Sequence, residues 1–289
     1  MPNAHRTSPH ERRAADRGPG EDHLTDRLVA LVRAPTEALA RCELTHVQRE
    51  SLDVALARRQ HAGYVALLRE LGAGVVELPE EPSLPDAVFV EDVAVVLDEV
   101  AIVTNPGAPS RRPEVPSVAA ALAPFRALVR MAPPATLDGG DVVRIDRTLF
   151  VGRSLRTNDA GVDRLAEAVA PHGYAVRPVR LSDCLHLKSA CTYLGNGVVL
   201  ANPRWVDARR FEDYRVLEVP AGEPRGANTF RIGDTVVMAA GSPLTAALIE
   251  EQGFPVRAVP LSELQKAEAG GSCMSLVFRA SFTPSSHPL

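Results

Sequence analysis

The stretch EDVAVVLDEVAIVT, residues 91–104, holds two apolar runs separated by Asp98-Glu99, and the same design returns three more times along the chain. GDVVRIDRTLFVG (140–152), SACTYLGNGVVLAN (189–202) and ANTFRIGDTVVMAA (227–240) each place apolar and β-branched residues on both sides of a short turn. The turns Asp146-Arg147, Gly195-Asn196-Gly197 and Gly233-Asp234 tolerate hairpin geometry, so each copy predicts a β-hairpin. Helical stretches lie between them: PSVAAALAPFRALV (116–129), NDAGVDRLAEAVAPHG (158–173) and SPLTAALIEEQG (242–253). Two of these open on a capping Asn or Ser and end at Gly. Short runs such as YAVRPV (174–179) and PVRAVPL (255–261) then read as a third strand.

A fifth copy is split across the two ends of the chain. GSCMSLVFR (271–279) supplies one strand and DRLVALVRAP (26–35) another. THVQRESLDVALARRQHAGYVALLRELG (45–72) predicts a long amphipathic helix, and AGVVELP (73–79) a further strand. Units of ββαβ type whose last member is closed by both ends imply a ring, because closure removes exposed sheet edges. The expectation is a five-bladed α/β propeller around a pseudo-fivefold axis, one catalytic domain over 24–279. An N-terminal tail (1–23) and a C-terminal tail (280–289) have little apolar periodicity and are expected to be disordered. An open parallel α/β sheet would require a Gly-rich phosphate loop at a first strand–helix turn, whereas Gly72-Ala73-Gly74 follows a helix.

With 289 residues, 45% hydrophobic and 24% charged side chains, the chain is long enough to bury a full core. A net charge of −4 with arginines scattered among acids argues against nucleic acid as a partner. No apolar run reaches the length of a membrane span, and residues 1–23 lack the apolar core of a signal peptide, so a cytoplasmic location is expected and no membrane partner. A homodimer stays open. Cys42, Cys184, Cys191 and Cys273 form no CxxC pair and are expected to be free thiols. Of the 32 Lys and Arg residues only Lys188 and Lys266 are lysine.

In a closed ring the starts of the first strands converge on the axis, so a polar residue at each start joins one site. They are Asp86, Glu91 and Asp92 in PDAVFVED, Asp138 and Asp141 in LDGGD, His186 in LHLKS, Asn228, and Cys273 in AGGSCMSLVFR. A thiolate nucleophile needs an imidazole for proton transfer, and the imidazole a carboxylate to fix its tautomer. Cys273, His186 and Asp138 suit those roles. Gly270 and Gly271 are expected to let the loop bring the thiol to the axis. Cys184, His186 and Cys191 fit no common zinc spacing, so no metal site is expected, and no GxSxG elbow supports a serine hydrolase.

The series LPDAVFVEDVAVV, NPGAPSRRPEV, LDGGDVVRIDRTLFVGRSLRTN, LHLKSACTYLGN and GGSCMSLV resembles the dimethylarginine dimethylaminohydrolase family of the guanidine-modifying pentein superfamily, in order over residues 24–279. That resemblance implies the propeller fold, a small-molecule substrate, no cofactor, and hydrolysis of Nω,Nω-dimethylarginine or Nω-monomethylarginine to citrulline and the methylamine. It carries the nucleophile to Cys273, the general acid and base to His186 and the accompanying acid to Asp138. The guanidinium-binding carboxylate falls on Asp92 with Glu91 supporting it, the α-ammonium contact on Asp86, and the α-carboxylate contacts on Arg111 and Arg156. RAPTEAL (33–39) corresponds to the loop that closes over substrate in the family. Met274 stands where some relatives carry a second cysteine.

The alternatives are an arginine deiminase, another guanidine-modifying hydrolase or amidinotransferase, and an inactive binding module on the same scaffold. Arginine deiminases carry a carboxylate two residues after the catalytic histidine, and here that position is Lys188. Its absence favours a methylated nitrogen, which has fewer N–H groups to pair. The lysine itself reads as a solvent-facing side chain.

Overall fold

Three of the four predicted hairpin turns put a glycine, Asp or Asn where the backbone needs a positive φ: Asp146 (51°), Asn196 (51°), Gly195 (99°) and Gly233 (56°). In the computed structural model, which describes residues 26–281, these hairpins organise five three-stranded sheets. Strand β1 (Asp26–Arg33) runs parallel to β2 (Gly74–Leu78), with helix α1 (Val54–Glu70) as the crossover. The hairpin β3 (Ala94–Val96) and β4 (Val100–Val103) is followed by α2 (Val115–Leu122) and β5 (Ala127–Arg130), parallel to β4. The hairpin β6 (Val142–Ile145) and β7 (Thr148–Arg153) continues through α3 (Asp159–Val169) to β8 (Ala175–Arg180). A short helix α4 (Leu187–Ala190) leads into β9 (Cys191–Gly195), β10 (Val198–Ala201) and β11 (Arg215–Glu218). Next come β12 (Thr229–Ile232), β13 (Thr235–Ala239), α5 (Pro243–Glu250) and β14 (Val256–Val259). After α6 (Ser262–Lys266), β15 (Ser275–Ser281) pairs antiparallel with β1, Val29 opposite Phe278, and completes the split sheet.

Closure is visible in the packing. Each apolar core lies between two neighbouring units rather than inside one. Val95, Val100 and Ile102 meet Leu149, Val151, Val162 and Leu165, and Val143, Phe150 and Val179 meet Cys191, Val199 and Phe211. Leu194, Val198 and Leu200 meet Val236, Met238 and Ile249. Tyr64 and Leu68 of α1 meet Ile232, Val237 and Val259, and Val29, Leu31 and Leu276 meet Ala101, Val118 and Leu122. Five shared cores make a ring in which no unit buries its apolar face alone.

Three boundaries differ from the sequence expectations. α1 starts at Val54 rather than at residue 45, because the Asp53 carboxylate accepts the Leu56 N–H (2.9 Å) as its N-cap. α2 stops at Leu122, since Pro124 has no N–H to continue the ladder, and 127–130 becomes a strand. The unit containing β9 to β11 carries only a 3₁₀ turn (Ala208–Phe211) where the other four carry an α-helix. β15 runs to Ser281, two residues beyond the expected end of the domain. The expected tail at 1–23, and residues 282–289 of the one expected at 280–289, lie outside the described residues.

Candidate active site

Directly before the first strand of each unit the chain makes a tight turn at one end of the axis. The turns are 3₁₀ at Val90–Val93, Gly139–Asp141 and Pro224–Ala227, helical at α4, and an irregular loop around Ser272 and Cys273. These turns carry Glu91, Asp92, Asp138, Asp141, His186, Asn228 and Cys273. Sequence-distant polar residues are therefore delivered to one place by repetition. A cavity of about 30 Å³ is lined by Asp86, Glu91, Asp92, Arg111, Arg156, His186 and Cys273, and Asp138 lies fully buried behind the imidazole.

His186 is held between two carboxylates. Its Nε2 is 3.1 Å from Asp138 Oδ2 and its Nδ1 is 3.6 Å from Asp92 Oδ1. Gly140 allows that approach, because a Cβ there would stand 2.6 Å from Asp92 Oδ1 and 2.7 Å from His186 Nδ1. One residue on, Leu187 N–H donates to Asp141 Oδ1 (3.0 Å), whose other oxygen accepts from Ser154 and Thr157 hydroxyls, each at 2.6 Å. Burial opposes the imidazolium, but Asp92, the hydrogen bond to Asp138, and Asp141 outweigh it and push His186 up to about 9. Burial pushes Asp141 up to about 6, against the pull of His186 and of its two hydroxyl donors.

Cys273 Sγ accepts from Gly270 N–H (3.3 Å) and Asn228 Nδ2 (3.8 Å). Burial first, then Glu91 and Asp92, push the thiol up to about 12, and the two donors pull the other way. At neutral pH the cavity thus holds an un-ionised thiol and an imidazolium. Neither Gly270 nor Gly271 has a positive φ; it is Glu268 that does (59°). Gly270 matters by close approach, since a Cβ would overlap the Asn228 amide at 2.0–2.4 Å.

Arg111, one of the two expected α-carboxylate contacts, is here a buried ion-pair hub. Its Nη1 pairs with Asp92 Oδ2, its Nε and Nη2 with Glu114 (3.1 and 2.7 Å), and its Nη2 also donates to the Phe89 and Asp86 carbonyls. Arg156 approaches Asp138 Oδ2 (3.8 Å) and donates to Thr45 Oγ1 (3.4 Å). Asp86 accepts the Glu43 N–H with both oxygens at 3.2 Å. Residues 33–39 do not line the cavity: Arg33 is buried against the Pro79 and Ala87 carbonyls, and Thr36 caps the turn Glu37–Arg41. The covering segment is Glu43 to His46, pinned by Glu268, which accepts the Thr45 and His46 N–H groups at 2.7 and 2.6 Å. Lys188 does not point to solvent but donates to Glu91 Oε1 at 2.7 Å. Glu43, Glu114, Glu268 and Ser272 carry no sequence signal, since each is a single polar residue in a loop or short turn.

The ligating atoms of Asp92, Asp138 and His186 lie within 4.8 Å of one another, close enough to hold one cation. A metal ion or a guanidinium would satisfy that charge, and Arg111 already presents a guanidinium to Asp92. All four cysteines are free thiols, with Cys42, Cys184 and Cys191 buried.

The chain is similar to several known proteins. The family model for eukaryotic N,N dimethylarginine dimethylhydrolase matches residues 43–201. The N(G),N(G)-dimethylarginine dimethylaminohydrolase of Streptomyces coelicolor is 41% identical over 252 residues, covering 86% of this chain and 96% of that one. The Pseudomonas aeruginosa enzyme, solved as a cysteine-to-serine mutant complexed with citrulline, superposes with a TM-score of 0.83 at 33% identity over 86% of this chain and 98% of its own. The N-terminal domain of ArgZ, a cyanobacterial arginine dihydrolase, shares the fold with a TM-score of 0.79 at 19% identity. Five ββαβ-type units closed around one axis define the pentein class of guanidine-modifying enzymes. Within that class the chain belongs to the dimethylarginine dimethylaminohydrolase family.

Proposed function

We propose that this chain hydrolyses Nω,Nω-dimethylarginine or Nω-monomethylarginine to citrulline and dimethylamine or methylamine, through a covalent S-alkylthiouronium on Cys273. The observation that carries the reading is an imidazole held between Asp138 and Asp92, in the cavity that also holds a thiol cradled by Gly270 N–H and Asn228.

Arg111 on Asp92 explains why the substrate is a guanidine that is also an amino acid. A ligand with a guanidinium and an α-carboxylate exchanges one ion pair for two. Its cation takes Asp92, and its carboxylate takes the released Nη1 of Arg111 together with Arg156. The α-ammonium group meets Asp86. The cation now lying against Sγ lowers the thiol, whose proton leaves to solvent, and the thiolate attacks the guanidinium carbon. His186, protonated at rest, gives its proton to the departing dimethylamine as the C–N bond breaks. Neutral His186 then takes one proton from water, whose oxygen attacks the thiouronium carbon, and the C–S bond breaks as the remaining hydroxyl proton passes to the leaving sulfur, which releases citrulline and restores the thiol and the imidazolium.

Both Glu91 oxygens are engaged, one by Lys188 and one by Ser272 (2.8 Å), so Glu91 does not stand free as a second carboxylate for an unsubstituted nitrogen. Citrulline formation from dimethylarginine, monomethylarginine and arginine, measured side by side, tests the reading: kcat/KM for a methylated substrate is expected to exceed that for arginine by at least about a hundredfold. Comparable turnover of arginine would move the protein to the deiminases. The same reading places the enzyme in the cytoplasm with a free amino acid as its partner. Size-exclusion chromatography decides between monomer and homodimer. Among the described residues no helix is long and apolar enough to cross a membrane.

A further inference from the structure

We propose that Lys188 is a positioning residue for the nucleophile, its ammonium acting through Glu91 to set how readily Cys273 gives up its proton. The inference rests on the reading of Cys273 as nucleophile. Lys188 and Glu91 together line two cavities, the small one that holds Cys273 and a second of about 460 Å³ that follows the axis between the first strands. Their ion pair is part of the wall between the two.

From that wall a chain of contacts runs to the sulfur. Lys188 Nζ donates to Glu91 Oε1 (2.7 Å), and Ser272 Oγ donates to Glu91 Oε2 (2.8 Å). Ser272 N–H donates to Asn228 Oδ1 (3.2 Å), and Asn228 Nδ2 reaches Cys273 Sγ (3.8 Å). Glu91 N–H also donates to the Cys273 carbonyl (3.3 Å), so the acid is fixed to the nucleophile's own backbone. The composition adds an independent hint: in a chain that uses arginine for nearly every cation, one of its two lysines stands here. A single compact ammonium fits one carboxylate oxygen and leaves the other to Ser272, whereas a guanidinium fork tends to claim both.

The charges around Cys273 show why this pair matters. Glu91 and Asp92 face it from the Val90–Val93 turn, His186 and Lys188 from α4, and Glu268 from its own loop. Glu43, Asp86, Arg111 and Arg156 line the rest of the cavity, and Tyr64 of α1 lies close behind. Asp92 is balanced by Arg111 and His186. Glu91, the larger of the two carboxylate influences raising the thiol, has Lys188 as its counter-ion. Without that ammonium, Glu91 would stand as an uncompensated buried anion beside a group that must itself become an anion.

The test needs no substrate, so its outcome is separable from whether methylarginines are hydrolysed. The intact chain is treated with iodoacetamide, a neutral alkylator, from pH 6 to 10.5, and labelling of Cys273 is followed by peptide mapping. Lys188→Met is expected to label at least about tenfold more slowly than wild type at the same pH, its profile displaced upward by about one pH unit. Glu91→Gln is expected to label faster than wild type. The double variant should return to within roughly threefold of wild type, and Lys188→Arg should stay closer to wild type than Lys188→Met. A double variant as slow as Lys188→Met, or superimposable profiles for Lys188→Met and wild type, would overturn the proposal. If Lys188→Met does not fold, Glu91→Gln decides by itself: labelling no faster than wild type also overturns it.

Discussion

Around Cys273 the five units crowd charged side chains into a cavity of about 30 Å³, whereas towards the hairpin turns the same first strands line one of about 460 Å³. At the narrow end the charges are buried and matched: Asp92 with Arg111 and His186, Glu91 with Lys188, Asp141 with two hydroxyls and a backbone N–H. At the wide end Arg144 and Asp98 form a fork-to-fork pair (2.8 and 2.6 Å), but the two side chains are 34% and 56% exposed. The same kinds of residue thus do different things at the two ends. Burial makes an unmatched charge costly at one end, and solvent lets either partner stand alone at the other.

The largest expected effect is at the narrow end. Cys273→Ser should lower kcat/KM by at least about a thousandfold while leaving substrate binding largely intact, since the nucleophile is lost and the clamp is kept. Steady-state kinetics and calorimetric binding check it; a serine variant with a tenth of wild-type turnover would sink the assignment. His186→Gly should likewise stop turnover.

Next is a pH-dependent effect on stability. His186 is raised from its ordinary 6.5 to about 9, so the cationic form contributes stability that is fully present below about pH 6.5 and is lost as pH rises through about 9. Compared with His186→Asn, the wild type should lose up to roughly 3 kcal/mol across that window. Urea unfolding of both proteins at pH 6.5 and 9.5 measures the difference, and an equal change in the two would mean that the carboxylates around the ring do not hold its proton.

The two arginines refine the picture of matched charges. Arg156→Ala should raise KM for methylarginine by an amount consistent with a lost charge-assisted contact, roughly 1.5–3 kcal/mol, and leave a simple alkylguanidine unaffected. Arg111→Ala should also raise KM for the amino acid, yet lower it for the alkylguanidine, because Asp92 is then no longer occupied. Equal changes on both substrates would mark Arg111 as purely structural.

The smallest effect belongs to the wide end. Arg144→Ala should change kcat/KM by less than about twofold and stability by about 1 kcal/mol or less, as for an exposed ion pair. A tenfold loss of activity there would erase the contrast between the two ends.

The amino-acid sequence by itself determined the repeat, its turns and the order of the chemistry along it. Asp146, Asn196 and Gly233 announce tight turns because few residues adopt positive φ, and apolar runs on either side announce strands, both being local properties. Placing one polar residue at each unit's start then brought His186, Asp138, Asp92 and Cys273 onto one list before any coordinates. What only the tertiary structure decided was which charge meets which. Lys188 reaches Glu91 across 97 positions, Glu268 holds the Thr45 amide across 223, and Arg111 turns onto Asp92. The apolar periodicity before Val54 reads as helical, yet its start is held in a non-helical loop by Glu268, which takes the Thr45 and His46 amides. Such pairings depend on which groups ring closure deprives of water, since a buried charge must find a partner and an exposed one need not.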